Sequence, residues 1–390
     1  MAAWIVFAIS LLGIGVLFGG YPFILFLQRK QNGTGAVVEL PDAELPSLSV
    51  LVAVRNGEGL IEKKVRNALD LDYPEDRLEV VVVSDGSTDM TGEILERIDD
   101  KRFKFYLLQE HKGKQEALNV GMSHCRGDVV LFTDADAVLE RDAARQLVKH
   151  FSDQNVGGVG GQRLILDQHG KMKGAQKSYI KADSQVKILE SKSGSTTSND
   201  GKIYAIRREL FQGVAEAVTD DLYVCLTVLR QGKRFKFEPE AKAYIATPSR
   251  SSGHEMSRRR RIVNRSLRGI WLNREVLNPN RTSCQIAAGL FINKVMRRML
   301  PFFLLLLIAS TAILAVDNPP LLLFLGLQVV FIVMAVTHPL LERLPFKVSI
   351  ISKVASLAFY FSLGNMGAFM GVIDFFSGQR PVRWDPKKTG

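Results

Sequence analysis

The sequence predicts an α/β domain with a mostly parallel sheet, flanked by transmembrane helices. Three observations point there. Long apolar blocks sit at the two ends of the 390 residues, while the middle is charged and mixed. Within that middle, β-rich apolar runs alternate with segments of helical spacing, as in a parallel sheet with crossover helices. Acidic and polar clusters stand directly after those runs, where the strand ends of such a sheet open into ligand-binding loops.

The first block, Trp4 to Leu27, carries no charge and runs into Gln28-Arg29-Lys30. At about 1.5 Å per residue it is long enough for a bilayer core of about 30 Å. A cleavable signal peptide has its basic residues before the apolar run, whereas these come after it. Residues 1–30 therefore read as an uncleaved anchor whose end is cytosolic.

A Gly- and Pro-containing linker, Gln31–Pro46, leads to a soluble domain expected over residues 47–250. Strands are predicted at Leu48–Val54, Leu78–Ser84, Phe103–Leu108 and Val129–Thr133. Helices are predicted at Leu60–Leu69 and Ala117–His124. Val80-Val81-Val82-Val83 is the kind of run that a strand buried on both faces requires.

Residues 251–298 are basic and amphipathic, with Arg258–Arg261 and Arg297-Arg298 suited to an interfacial position. Membrane segments follow over residues 299–376. Met299–Val316 and Pro319–Leu341 are joined by the turn signal Asp317-Asn318-Pro319-Pro320. Arg297-Arg298 before the pair and Glu342-Arg343 after it place both flanks inside. A third stretch, Lys353–Phe376, contains Gly364, Gly367, Gly371 and Asp374, small residues that suit close helix packing. If it spans, the basic tail at residues 377–390, with Arg380 and Arg383, ends outside, against the positive-inside rule. A re-entrant or interfacial segment is the alternative.

The net charge of +11 comes without aromatic-interleaved basic patches, so it points to a lipid bilayer and not to nucleic acid. Cys125, Cys225 and Cys284 are widely spaced, which excludes a disulfide framework or a zinc site. The six histidines are equally scattered.

Asp134-Ala135-Asp136 ends an apolar run, so two hard oxygen donors stand at the mouth of the sheet. Such a pair can hold a divalent cation and, through it, a diphosphate. A D-x-D tripeptide alone is weak evidence, because acidic residues are common at turns and helix starts. Asp85-Gly86-Ser87-Thr88-Asp89 reads as a turn whose Ser or Thr caps a helix near Met90, and also as a loop presenting Asp85 to a base or ribose. Lys112-Gly113-Lys114-Gln115 precedes a helix; its lysines suit a phosphate or simply a solvated turn. Thr219-Asp220-Asp221-Leu222 opens an amphipathic helix, Leu222–Leu229. Capping and the helix dipole alone favour acids there, but inverting transfer also needs a carboxylate base apart from the metal site. Arg258–Arg261 reads as a lipid-facing run or as a source of one arginine for a diphosphate, since helical spacing cannot aim four consecutive residues at one point.

Taken together, these clusters resemble the family 2 glycosyltransferases of GT-A fold, specifically the membrane group with the cellulose, chitin-oligosaccharide and poly-N-acetylglucosamine synthases. The resemblance covers Leu48 to about Leu277. Val52 to Glu58 resembles the first nucleotide-contacting loop, with Ala53 in place of the usual proline and with Arg55 and Glu58 as donor contacts. Asp85 then corresponds to the uridine-contacting aspartate. Lys112-Gly113-Lys114 and Asn119 resemble the K-x-G-K…N stretch, which makes Lys114 a donor-binding residue. Asp134 and Asp136 match the D-x-D, which implies Mg²⁺ or Mn²⁺. Gly201 through Arg208 resembles a segment near the acceptor. Asp221 matches the aspartate of T-E-D, implied to be the general base, and Asp220 stands where glutamate is usual. In the processive synthases a Q-x-x-R-W motif follows. Here Arg258 replaces its glutamine on the acceptor side, Arg261 keeps the arginine for the diphosphate, and Ile262 replaces the tryptophan.

The resemblance implies metal-dependent, inverting transfer from a nucleotide sugar, with a UDP-sugar as the expected donor. The acceptor is a saccharide or a lipid-linked molecule at the cytosolic face of a plasma membrane, as in the bacterial inner membrane. The lost tryptophan favours addition of one or a few sugars. A processive synthase is the alternative; with so few spans it needs an export partner or a homo-oligomer. A non-catalytic membrane scaffold is the third reading, and the retention of Asp85, Asp136 and Asp221 speaks against it.

Overall fold

The computed structural model describes residues 1–28, 40–166, 173–246, 252–341 and 349–379. Arg29-Lys30, most of the expected linker, Glu342-Arg343 and the tail arginines lie outside the described residues. The helices, in chain order, are α1 (Ala2–Gly15), α2 (Tyr21–Gln28), α3 (Ile61–Leu69), α4 (Thr91–Glu96), α5 (Lys114–His124), α6 (Ala143–Val148) and α7 (Lys173–Ser193). They continue with α8 (Asp220–Arg230), α9 (Ser252–Leu272), α10 (Cys284–Leu290), α11 (Arg297–Leu314), α12 (Pro319–Leu341) and α13 (Ser349–Phe376).

The strands are β1 (Leu48–Val54), β2 (Leu78–Asp85), β3 (Phe103–Leu108), β4 (Val129–Asp134), β5 (Ala137–Leu139), β6 (Val156–Ile165), β7 (Tyr204–Arg207) and β8 (Arg234–Ile245). They form one sheet in the order β3-β2-β1-β4-β7-β6-β8-β5. Four of its seven pairings are parallel and three, all involving β7 or β5, are antiparallel. The sheet is therefore mixed, with the parallel half at β3-β2-β1-β4. Every residue of β1 is buried, and so are Val80 to Val83 of β2, because helices cover both faces.

Register decides where the site falls. Val54 stands opposite Ser84, and Ala53 opposite both Val83 and Asp134. The loops after β1, β2 and β4 therefore leave the sheet side by side. β2 and β4 each run one residue further than expected, so Asp85 and Asp134 are the last paired residues of their strands.

Among the described residues, four helical stretches are long and apolar enough to cross a membrane: Ala2–Gln28, Cys284–Leu314, Pro319–Leu340 and Ile351–Phe376. The third C-terminal stretch forms one continuous helix, α13. Two of its glycines make room for α9: a Cβ at Gly367 would lie 2.8 Å from Arg259 Cβ, and one at Gly371 would lie 2.5 Å from the Arg260 carbonyl oxygen. Val263 and Leu267 of α9 pack with Val372 in the same seam. At the other end, Tyr21 of α2 donates to the buried Glu190 of α7 at 2.6 Å. Glu190 also accepts from Thr197 N at 2.9 Å and Asn293 Nδ2 at 3.1 Å. One carboxylate therefore joins two membrane-length helices to the α/β domain.

Candidate active site

The loops after β1 and β2 are laced together. Asn56 accepts from Thr88 N at 2.9 Å, and Ser87 Oγ accepts from Asn56 N at 3.0 Å. Asp89 accepts from Thr91 N at 3.1 Å, and Glu58 accepts from Met90 N at 3.2 Å. The start of α4 is therefore satisfied by these two carboxylates, not by Ser87 or Thr88 as the turn pattern suggests. Glu58 holds this loop, and Arg55 follows β1 at the same sheet edge. Ala53 is 7% exposed inside the sheet.

Asp85 is 2% exposed. Its oxygens accept from Lys112 N at 2.8 Å and Gly113 N at 2.9 Å, and lie 2.8 Å from His111 Nδ1. Gly86 makes this closure possible with φ +57°; a Cβ there would lie 2.4 Å from His111 N. Asp85 thus ties the β3–α5 loop to the end of β2 instead of presenting a free carboxylate. Asn119 is likewise used within the fold, exchanging hydrogen bonds with the Val214 backbone at 2.7 and 3.1 Å.

At the end of β4 the charges form a chain. Lys202 Nζ lies 2.7 Å from Asp136 and 2.8 Å from Asp134. Lys114 Nζ lies 2.7 Å from Asp134 and 2.8 Å from Asp220. Burial alone would favour neutral Asp134, but the two ammonium groups outweigh it and hold the carboxyl far below the usual range. Burial likewise opposes the charge on Lys114, and Asp134 and Asp220 overcome it. Beneath this chain Lys64 is 3% exposed, donating to Thr133 Oγ1 at 2.9 Å and the Ala137 carbonyl at 2.6 Å. Burial lowers its pKa to about 7.

Asp221 sits beside this chain at the start of α8. It accepts from Leu222 N at 2.7 Å and Gly201 N at 3.2 Å. Burial, and next the Asp220 charge, raise its pKa to about 6, against the Leu222 hydrogen bond. A partly buried carboxylate of that basicity, fixed by two backbone donors, is suited to proton abstraction near neutral pH.

The arginines of α9 divide as helix geometry requires. Arg258 and Arg259 bind Glu255 at 3.0 and 2.8 Å, and Arg260 binds Asp374 at 2.8 Å. Arg261 is left on the domain side, where burial and then Arg265 and Arg258 lower its pKa to about 10. Arg265, one turn on, is 9% exposed and feels the Asp220 charge.

Among the described residues no three His, Cys, Asp or Glu side chains converge as a metal cage. Asp134 and Asp136 nevertheless fit a hard divalent ion. Asp136 has a side-chain exposure of 47%, and two carboxylates completed by phosphate oxygens and water are a usual magnesium or manganese arrangement.

Sequence reasoning missed Lys64, His111, Lys202 and Arg265. Lys202 had the one available signal, its place next to Gly201; the others become visible only through contacts far apart in the chain.

Residues 49–214 match the family described as Glycosyl transferase family 2. Poly-beta-1,6-N-acetyl-D-glucosamine synthase of Staphylococcus aureus is 28% identical over 219 residues, 54% of this chain and 52% of that protein. The Staphylococcus epidermidis protein of the same name is 25% identical over 245 residues, 60% of this chain and 58% of its own. The chain thus spans about half the length of the curated relatives it matches. A mannosyltransferase from Pyrobaculum calidifontis, solved with GDP-Man and Mn²⁺, superimposes with a TM-score of 0.71 at 23% identity, covering 95% of this chain and 99% of that one. That likeness shows a shared fold that includes both the α/β domain and the membrane-length helices.

Proposed function

Since residues 49–214 match Glycosyl transferase family 2, we propose that the chain transfers a sugar, with inversion, from a nucleotide-sugar donor to an acceptor hydroxyl at the cytosolic face of a membrane. The observation that carries this reading is the position of Lys114. Its ammonium lies between Asp134 and Asp220, so the diphosphate end of the site and the Asp220-Asp221 pair share one cation.

In this reading Asp221 takes the proton of the acceptor hydroxyl while the hydroxyl oxygen bonds to the anomeric carbon. The bond from that carbon to the diphosphate breaks on the opposite side, and a nucleoside diphosphate leaves. Lys114, Lys202 and Arg261 supply positive charge where the leaving group gains negative charge. Asp134 and Asp136 are the residues that would hold Mg²⁺ or Mn²⁺, whose contribution is to neutralise the diphosphate. In this reading the loops after β1 and β2, with Arg55 and Glu58, form the donor's nucleoside end, and Asp85 holds the β3–α5 loop beside them. Gly201 and Asp220 form the acceptor side in this reading, whereas Arg258 is held by Glu255. The Mn²⁺ of the Pyrobaculum structure supports this cation chemistry.

Uracil is the base favoured by the motif resemblance, and the GDP-Man of the fold neighbour makes guanine the comparison. A processive mode is the second reading, favoured by the polymer-synthase names of the relatives. The test is nucleotide release from a panel of UDP- and GDP-sugars, with and without Mg²⁺ or Mn²⁺ and with native lipid extract as acceptor. Metal-dependent release from one donor that is lost in Asp221→Asn is the expected result, and product size separates single addition from polymer. Absence of both release and donor binding would overturn the reading.

A further inference from the structure

A cavity of about 280 Å³ lies where three membrane-length helices meet α7 and α9. Its charged lining is Arg259, Lys294, Arg297 and Arg298 against the single carboxylate of Asp183. Most of these charges have neighbours. Asp183 lies 2.8 Å from Lys187 and 3.8 Å from Arg297, Arg259 is 2.8 Å from Glu255, and Arg298 donates to Ser266 at 2.7 Å. Lys294 differs: among the described residues no hydrogen-bond or ion-pair acceptor lies within reach of its ammonium. Cations gathered in a partly apolar place, with one carboxylate among them, favour a bound anion.

The remaining lining tells which anion. Phe18, Leu300, Phe361 and Ala368 come from the membrane-length helices, so the cavity offers apolar surface together with its cations. A free anion has no use for the apolar side, and a neutral lipid has none for the cations. We propose that this cavity binds the phosphate of an anionic lipid whose hydrocarbon chain lies along α11 and α13, and that this lipid carries the acceptor. A relay of contacts connects the cavity to the acceptor side of the transferase reading. Asp183 pairs with Lys187, the Lys187 charge is coupled to Asp200, and the next residue, Gly201, donates to Asp221. The carrier role rests on the transferase reading; the lipid-phosphate site does not.

The fold offers two clean perturbations. Lys294→Met removes the cation and keeps the length of the side chain. Gly364→Leu fills the cavity from α13: a Cβ at Gly364 meets nothing within 4 Å, unlike one at Gly367 or Gly371, and leucine is the better helix former. The full chain, purified in an uncharged detergent, is titrated with dodecyl phosphate and, separately, with inorganic phosphate, while nucleotide binding is measured on the same samples. Dodecyl phosphate is expected to bind, inorganic phosphate to bind at least about tenfold more weakly, and each variant to lose about tenfold or more in dodecyl phosphate affinity with nucleotide binding unchanged. Equal affinity for the two phosphates, or unchanged dodecyl phosphate affinity in either variant, overturns the proposal. Wild-type protein that binds nucleotide but not dodecyl phosphate refutes the lipid site and leaves the transferase reading standing. Protein that binds dodecyl phosphate but no nucleotide removes the transferase reading, and the carrier role with it, while keeping the lipid site.

Discussion

Asp221→Asn is expected to abolish transfer and at the same time to stabilise the protein near neutral pH. Burial and the Asp220 charge raise the Asp221 carboxyl from 3.8 to about 6. At about 1.4 kcal/mol per pKa unit, keeping it ionised in the folded state costs about 3 kcal/mol. Asparagine carries no charge, so that cost disappears. It offers only one acceptor oxygen, however, to the two N–H groups of Leu222 and Gly201. Losing one such hydrogen bond costs about 1 kcal/mol, which leaves a net gain of about 2 kcal/mol. The folded value lies above the unfolded one, so the cost of ionisation is absent below about pH 4. It grows between 3.8 and about 6 and is constant above that. Thermal unfolding of both proteins at pH 4 and pH 8 reads this difference, and initial rates of nucleotide release read the catalytic half. The variant is expected to gain stability at pH 8 relative to its difference from wild type at pH 4. Its turnover is expected to fall by about 10² to 10⁴, and wild-type activity to show an acid limb near pH 6. The same stability difference at both pH values, or a variant with near-normal turnover, would refute the reasoning.

Lys202→Met is expected to tighten Mn²⁺ binding in the absence of nucleotide by about tenfold, because the ammonium competes for the Asp134 and Asp136 oxygens at 2.8 and 2.7 Å. The free Mn²⁺ signal in electron paramagnetic resonance measures it. Gly86→Ala places a Cβ 2.4 Å from His111 N at a φ of +57°; a loss of about 2–4 kcal/mol in stability and weaker nucleotide binding are expected, read by unfolding and calorimetry. Glu190→Leu leaves Tyr21, Thr197 and Asn293 without their shared acceptor. A loss of about 3 kcal/mol or more is expected, with faster proteolytic release of the N-terminal helix.

Much of this molecule was legible from the chain alone. The bounds of β1 and β3 match those the apolar runs predict, and the membrane-length helices follow from hydropathy, which each segment carries by itself. β6 was not legible: Val156-Gly157-Gly158-Val159-Gly160-Gly161 has four glycines in six residues, a composition that weakens any strand signal. Its place between β7 and β8 is decided by neighbours, not by its own sequence.

The site divides along the same line. The order of Asp85, Asp134-Ala135-Asp136 and Asp220-Asp221 could be read directly, because each cluster is local and follows or opens an element. The tertiary structure decided what each carboxylate does. It turned Asp85 inward onto the β3–α5 loop, bound Asp134 and Asp136 through Lys202, joined Asp134 to Asp220 through Lys114, and sent three of the four consecutive arginines to Glu255 and Asp374. Periodicity and motif order depend on residues a few positions apart. Charge pairing depends on distances of about 3 Å between groups tens to a hundred residues apart, and only the register of the sheet and the packing of the helices set those.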